Sequence, residues 1–396
     1  MAHAYSHGNC IHLDNGNTSM RTGLTPWSIR QQLDARYNNH PQGQQKEKIK
    51  VLFFGSDSFS VPHLEALITE RDRPGSIIER VDVVSPKERP NRTKNNAEES
   101  PVTVLAKKHN LTTFPAPERR TGIEAWKFPK LDGVDGWDFG VVVSFGWFLP
   151  NDIISQFKKA GVNVHPSLLP KYRGSAPLQR SIMNQDKTTG VTIQLLDPNE
   201  FDAGKILRQE EVTMPHRPTY HSLEGLLAKK GAELLVDVIN NYDERRQAAK
   251  SQDPKMVTKA PKISREASVV NWNVWSAERA ERLHRANGFR YPVASKWLTQ
   301  PSGKVLPVSL FDLHLVDGAD ISDLSVYGSV DTHPKDCPPG TLFFHRPSES
   351  LHITCADGSL LGVGAVQFEG KKRLTAKDFV NGYKITSGYF LRVHHV

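Results

Sequence analysis

Short, wholly apolar runs separated by helical patterns constrain this chain more than any other feature. KIKVLFFGS (48–56) and FGVVVSFG (139–146) lack the alternation of a half-solvated strand, so both faces of each must be covered. VDVVS (81–85), GVNVH (161–165) and TGVTIQLL (189–196) read as further strands. Between them lie helical stripes: Phe59, Leu64, Leu67 and Ile68 on one face, a helix over 101–109, and a long helix over 220–242 carrying Leu223, Leu226, Leu227, Leu234, Leu235 and Val238. Gly231 sits in a gap of that last stripe and argues against an unbroken helix. Strands alternating with helices give an α/β class with a parallel or mixed Rossmann-like sheet.

The pattern changes after residue 242. Residues 243–262 are dense in charge and broken by Pro254 and Pro261, which reads as a basic linker without core pattern. From 263 onward a short amphipathic helix, SAERAERLHRANGF, turns Ala280, Leu283 and Ala286 inward and Arg279, Arg282, Arg285 and Arg290 outward. VASKWLT, VLPVSLFDLHLV, GTLFFH, LHITCAD and LLGVGAVQF follow as short strands between turns, the pattern of a small β-barrel. Residues 317–336 read as an acidic insertion between two of these strands. Four segments result: an extension 1–47, a catalytic-size α/β domain 48–242, the linker 243–262, and a β domain 263–396.

With 396 residues the chain can fill two cores. No apolar run approaches the roughly 18 residues that span a bilayer, so no membrane partner is expected. Cys10, Cys337 and Cys355 form no CxxC pair and suggest neither a disulfide scaffold nor a zinc site. The excess of +8 is unevenly placed: +3 in residues 1–50, none in 51–240 and +5 in 241–396. A neutral body with basic flanks suits a small-substrate enzyme with an added polyanion surface, although a moderate excess also merely aids solubility. The first 45 residues, rich in Asn, Gln, His, Ser and Gly, show no sustained apolar period and read as disordered. Arg21, Arg30 and Arg36 fit a weak mitochondrial targeting element, which Asp14, Asp34 and Glu47 oppose.

Chemistry concentrates in GVNVHPSLLPKYRG (161–174). Alternate strand residues share a face, so Asn163 and His165 point to the same side. An amide donor and an imidazole suit a reaction in which a carbonyl oxygen becomes negative while an amine loses its proton. Asp202, in NEFDAGKIL, is a candidate third member. A strand–turn boundary, with Asn163 and His165 capping a loop and Asp202 starting a turn, is the plainer reading. Pro166 and Pro170 restrict the loop that follows. Arg173, before Gly174, can buttress that loop or meet a phosphate or carboxylate, and the loop's carbonyls favour the former. SFGWFLP (144–150) follows a buried strand, where open sheets place ligand crevices. Phe145, Trp147, Phe148 and Leu149 can wall a flat apolar slot, or simply fill the core. GSDSF lacks the GxGxxG dinucleotide fingerprint, which excludes a nicotinamide dehydrogenase.

GVNVHPSLLPKYRG, SAPLQRSI and TGVTIQLLDPNEFDAGKIL together resemble the methionyl-tRNA formyltransferase family. The likeness begins at VLFFGSDSFSVPHLEAL and ends with PPGT, DGSLLGV and GKKRLTAKDFVNG, covering roughly residues 50 to 390. It implies a Rossmann-like formyltransferase domain followed by an OB-like tRNA-binding β-barrel. It implies formyl transfer from 10-formyltetrahydrofolate to the methionine of initiator Met-tRNA, without a metal. Catalysis would fall to Asn163, His165 and Asp202, and folate binding to Ser144, Phe145, Gly146, Trp147 and Leu149. The loop 85–102, with Lys87, Arg89, Arg92 and Lys94, would reach the tRNA acceptor end. Organellar initiation would place a eukaryotic member, as a monomer, in the mitochondrial matrix.

Three other activities fit parts of the pattern. Folate-dependent formylation of an amino-sugar nucleotide, or of glycinamide ribonucleotide, would use the same three side chains. Hydrolysis of the formyl donor would replace the amine with water. A non-catalytic RNA-binding protein would leave the three side chains dispensable.

Overall fold

The computed structural model describes residues 47–86, 89–90, 97–118, 122–123, 126–299, 304–317, 324–327 and 333–383. The targeting element expected before residue 47, and Lys87, Arg92 and Lys94, lie outside them.

The first half is one seven-stranded sheet. Its strands are β1 (Ile49–Gly55), β2 (Ile78–Ser85), β5 (Thr113–Pro115), β6 (Phe139–Val143), β7 (Ala160–His165), β8 (Thr188–Leu195) and β9 (Ile206–Thr213), in the order β5-β2-β1-β6-β7-β8-β9. Two-residue strands, β3 (Arg89–Pro90) and β4 (Ala97–Glu98), pair separately. From β5 to β7 neighbours run parallel, whereas β7, β8 and β9 are antiparallel. Every residue of β6 is buried, as its unbroken apolar run requires. The chain winds outward from β1 to β5, then returns to β6 on the other side of β1. That reversal opens a crevice beyond the carboxyl ends of β1 and β6, the usual ligand position in such sheets. Ser60 Oγ donates to the Val143 carbonyl at 2.7 Å and Ser56 Oγ to that of Ser144 at 2.9 Å, joining the crevice's two lips.

Helices α1 (Val61–Arg71), α2 (Pro101–Lys108), α3 (Asn151–Ile154), α4 (Pro177–Met183) and α5 (Tyr220–Asn240) accompany the sheet. Thr219 and Ser222 form a reciprocal cap at the start of α5. Contrary to the sequence expectation, α5 runs unbroken through Gly231. A Cβ there would come within 2.5 Å of His63 Nε2, so glycine permits the close approach of α1 and α5.

The second half has its own core around Trp272, Trp297 and Phe379. Helix α6 (Tyr242–Gln247) precedes α7 (Ala277–Asn287). Strands β10 (Val293–Thr299), β11 (Lys304–Leu315), β12 (Leu342–His345), β13 (Ser350–Thr354) and β14 (Leu360–Phe368) form an antiparallel sheet in the order β10-β11-β14-β13-β12. β15 (Leu374–Thr375) adds to β14, and α8 (Ala376–Tyr383) follows.

Three local expectations need correction. The linker is not without core contact: Ala260 is buried, and residues 250, 258 and 260 are hydrogen-bonded along the first domain. Arg282 and Arg285 do not face solvent, their side chains being only 15% and 13% exposed. The reason is that α7 is covered twice, by its own sheet and by α4. The acidic insertion also reaches the core: Tyr327 is fully buried and donates to or accepts from His352 Nδ1 at 2.7 Å.

Candidate active site

His165 ends β7 and Asn163 lies two residues before it, so strand alternation puts both on one face. Asp202 reaches them from the turn between β8 and β9. Its φ of 57° is left-handed, a conformation Asp tolerates better than most residues. Asn163 Nδ2 donates to Asp202 Oδ1 at 3.4 Å, and His165 Nδ1 lies 3.5 Å from the same oxygen. Asp202 Oδ2 accepts the Gly174 backbone N–H at 2.8 Å. Thus the structure brings together the three residues singled out in the sequence.

The imidazole has a fixed orientation. Its Nε2 is 2.9 Å from the Tyr172 carbonyl, which can only accept, so Nε2 carries a hydrogen. Nδ1 is therefore the ring atom left to exchange a proton beside Asp202. His165 is 5% exposed, so the ring edge facing Asp202 is shielded from bulk water.

The loop 166–176 is held as a cross-bonded strip. Thr258 N–H donates to the Pro170 carbonyl, Arg173 N–H to that of Thr258, Ala260 N–H to that of Arg173, and Ala176 N–H to that of Ala260. Gly174, at φ 121°, lies so close to this partner that a Cβ would stand 2.8 Å from the Ala260 carbonyl oxygen. Arg173 is buried. It donates to Gln252 Oε1 through Nε and Nη2 and meets Glu200 through Nη1 at 3.1 Å. Pro166 and Pro170 lie within the strip, Pro170 after a cis peptide.

A narrow cavity opens beside the triad, lined by Trp147, Phe148, Leu149, Asn163, Gln194, Phe201 and Asp202 among others, with about 60 Å³ of free space. Of the four side chains read as possible walls, Trp147, Phe148 and Leu149 line it. Phe145 does not: it is 2% exposed and packs edge-on against Phe54 and beside Trp147. Ser144 takes a left-handed φ of 46°, which redirects the chain after β6 and returns Phe145 to the core. Ser144 and Gly146 are exposed turn residues at the rim, outside the cavity lining. On the far side of Phe148 and Phe201 a groove of about 390 Å³ runs past Arg173, Gly174 and Lys259. Phe201 is 55% exposed and meets Phe148 edge-on.

Sequence reasoning missed Gln194, Gln252 and Thr258. Gln194 Nε2 donates to Asp202 Oδ1 at 3.3 Å. Gln194 alternates with Leu195 on β8, facing the site, and strand register offered a signal for it. Gln252 and Thr258 carry no such signal in a charged, irregular segment. After β1, Asp57 accepts from Ser60, and burial raises its pKa above the ordinary carboxylate range. Of the four basic residues expected at the acceptor end, only the backbone of Arg89 is described, in β3.

Residues 48–239 match the family model described as Formyl transferase, and residues 262–384 the one described as Formyl transferase, C-terminal domain. A protein named mitochondrial methionyl-tRNA formyltransferase from Rattus norvegicus is 36% identical over 342 residues, covering 86% of this chain and 80% of that protein. Methionyl-tRNA formyltransferase of Methylococcus capsulatus is 30% identical over 337 residues, covering 85% and 98%. The structure of HypX from Aquifex aeolicus in complex with tetrahydrofolic acid superposes with a TM-score of 0.52 at 17% identity, covering 85% of this chain and 48% of that one.

Proposed function

Since this chain belongs to the methionyl-tRNA formyltransferase family and formylates Met-tRNA, we propose that its donor is 10-formyltetrahydrofolate and its acceptor the initiator Met-tRNA of mitochondria. The observation that carries this reading is the convergence of Asn163, His165 and Gly174 on the two oxygens of Asp202.

The methionyl amine attacks the formyl carbon, and the carbonyl electrons move onto its oxygen. Asn163 spends one amide hydrogen on Asp202 and has a second for that oxyanion. The His165–Asp202 pair takes the amine proton at the edge formed by Nδ1 and Oδ1 and returns it as the bond to folate N10 breaks. No covalent intermediate is required.

The pterin end of the donor enters the slot of Trp147, Phe148 and Leu149, with polar contacts from the rim at Ser144 and Gly146. Phe145 supports Trp147 from behind. Roughly 300 to 1,000 Å³ is usual for a small-molecule pocket, so Trp147 and Phe201 move outward when the donor binds. The acceptor end approaches along the groove of Phe148, Phe201 and Lys259. Residues 48–242 carry the chemistry, 263–396 the tRNA, and 243–262 join them. Lys87, Arg89, Arg92 and Lys94 grip the acceptor stem, and residues 1–47 direct the chain to the mitochondrial matrix, where it acts as a monomer.

An acceptor panel tests this. With 10-formyltetrahydrofolate, charged initiator Met-tRNA is formylated far more efficiently than charged elongator tRNA, an amino-sugar nucleotide, glycinamide ribonucleotide or water. Efficient formylation of only a small metabolite overturns the reading.

A further inference from the structure

The side chain of Gln252 reaches from the linker into the turn that carries Asp202. Arg173 donates to its Oε1 twice, through Nε at 3.0 Å and Nη2 at 2.8 Å. Its Nε2 faces three acceptors with two hydrogens, one of them shared: the Asp202 carbonyl at 2.8 Å, the Gly204 carbonyl at 2.9 Å and Gln194 Oε1 at 3.1 Å. This orientation has no alternative. A guanidinium only donates and a peptide carbonyl only accepts, so oxygen must face Arg173 and nitrogen must face the turn.

That choice fixes a second amide. Because Gln252 Nε2 is a donor, Gln194 must present Oε1 to it. Gln194 Nε2 is then left to face Asp202 Oδ1, 3.3 Å away. Gln194 is itself 1% exposed and cannot trade these partners for water. Gln252 also bonds the carbonyl of a residue whose backbone is held at a left-handed φ.

We propose that Gln252 is a positioning residue for the formyl-transfer reaction, acting through Gln194 to keep a hydrogen-bond donor on the Asp202 carboxylate. The proposal rests on the assignment of Asp202 to catalysis. The linker thereby takes part in the active site rather than only spanning two domains.

Gln252→Glu separates this role from mere packing. A carboxylate there still accepts from Arg173 but cannot donate to Gln194 or to the Asp202 and Gly204 carbonyls, so the Gln194 variant below isolates the relay. Gln194 must then rotate to donate to residue 252, which turns its oxygen toward Asp202. With charged initiator Met-tRNA and 10-formyltetrahydrofolate, kcat falls between about tenfold and 10²-fold, the scale of a misplaced catalytic group. Donor KM stays within about twofold, and the acid limb of the kcat–pH profile moves to higher pH. Gln194→Met alone reproduces the kcat loss, which keeps the test open if Gln252→Glu folds poorly. The double variant Gln194→Met/Gln252→Ala loses no more than the worse single change, because the two residues act in series. Additive losses, or unchanged kcat in Gln194→Met, overturn the proposal. Full activity in Asp202→Asn would instead overturn the catalytic assignment beneath it.

Discussion

The backbone N–H of Gly174 points at the carboxylate of Asp202, 2.8 Å from Oδ2, across 28 residues of sequence. The loop that follows β7 therefore meets the opposite turn at the one acidic group of the three converging side chains. Glycine is required on both counts the structure offers: φ is 121°, and an added methyl would strike the Ala260 carbonyl.

Gly174→Ala is accordingly expected to displace the loop rather than only strain it. A left-handed or more extreme φ costs a non-glycine residue roughly 1 to 3 kcal/mol, and a misplacement of about 1 Å near the chemistry can cost 10²-fold. Turnover should fall by about that factor, with a Tm lowered by a few degrees. Kinetics beside thermal unfolding check both; normal turnover would refute the role of this contact.

His165→Ala should lower formyl transfer by roughly 10² or more, the usual worth of acid–base catalysis. Asn163→Ala should lose roughly 2.7 to 4 kcal/mol of transition-state stabilisation if its free amide hydrogen serves the oxyanion. Asp202→Asn should keep donor binding and lose turnover. Assays at saturating substrates decide these, with donor affinity measured separately. Turnover near that of the unaltered protein in any one of them would remove that residue from the mechanism.

At the junction of the two halves, Glu281 of α7 is 2% exposed and accepts from Arg285 at 2.8 Å and from Arg217 Nη2 at 2.8 Å. Arg285 in turn donates to the Pro218 carbonyl. Removing the carboxylate strands Arg285. Glu281→Ala should cost about 3 kcal/mol, the lower end for a broken buried pair, because Arg217 is 40% exposed. The KM for Met-tRNA should rise while donor binding holds. Equal damage to both substrates would argue against a role confined to the junction.

Acid should destabilise the fold by charging buried histidines. Burial pushes the pKa of His63 down to about 4 and that of His352 to about 3, from an ordinary 6.5. The unfolded chain thus binds protons that the folded chain refuses. Their contribution is complete above pH 6.5 and is lost as pH falls toward 4 and 3. For His63 the loss reaches roughly 2 kcal/mol by pH 5. Denaturant unfolding at pH 7.5 and 5 measures it. His63→Leu should shrink the difference by that amount, and an unchanged slope would refute the assignment.

Much of this molecule is legible in its sequence where burial acts on both faces of a strand. KIKVLFFGS and FGVVV could be little else than central strands, and β1 and β6 are the pair at the switch point. Asn163 and His165 were legible because two residues along a strand return to one face. Phe145 was not, because alternation stops at Ser144, whose left-handed φ resets the direction of the next side chain. Arg282 and Arg285 were misread because a helical period reports one covered face, and α7 has two. Gln252 and Thr258 escaped for a different reason. A polar side chain that replaces water with backbone N–H or C=O groups looks, in sequence, like one that keeps its water.

The strip between residues 258–260 and 170–176 gives the chain a boundary in space that differs from the one in sequence. Sequence composition divides it after residue 242, but the hydrogen bonds that complete the loop after β7 come from beyond that point. Exchanges of whole halves between relatives should therefore join within 263–276, with residues 243–262 inherited alongside the catalytic half. A joint placed at 242 would pair one protein's loop with another's brace, and the mismatch would register in the chemistry even where both halves fold.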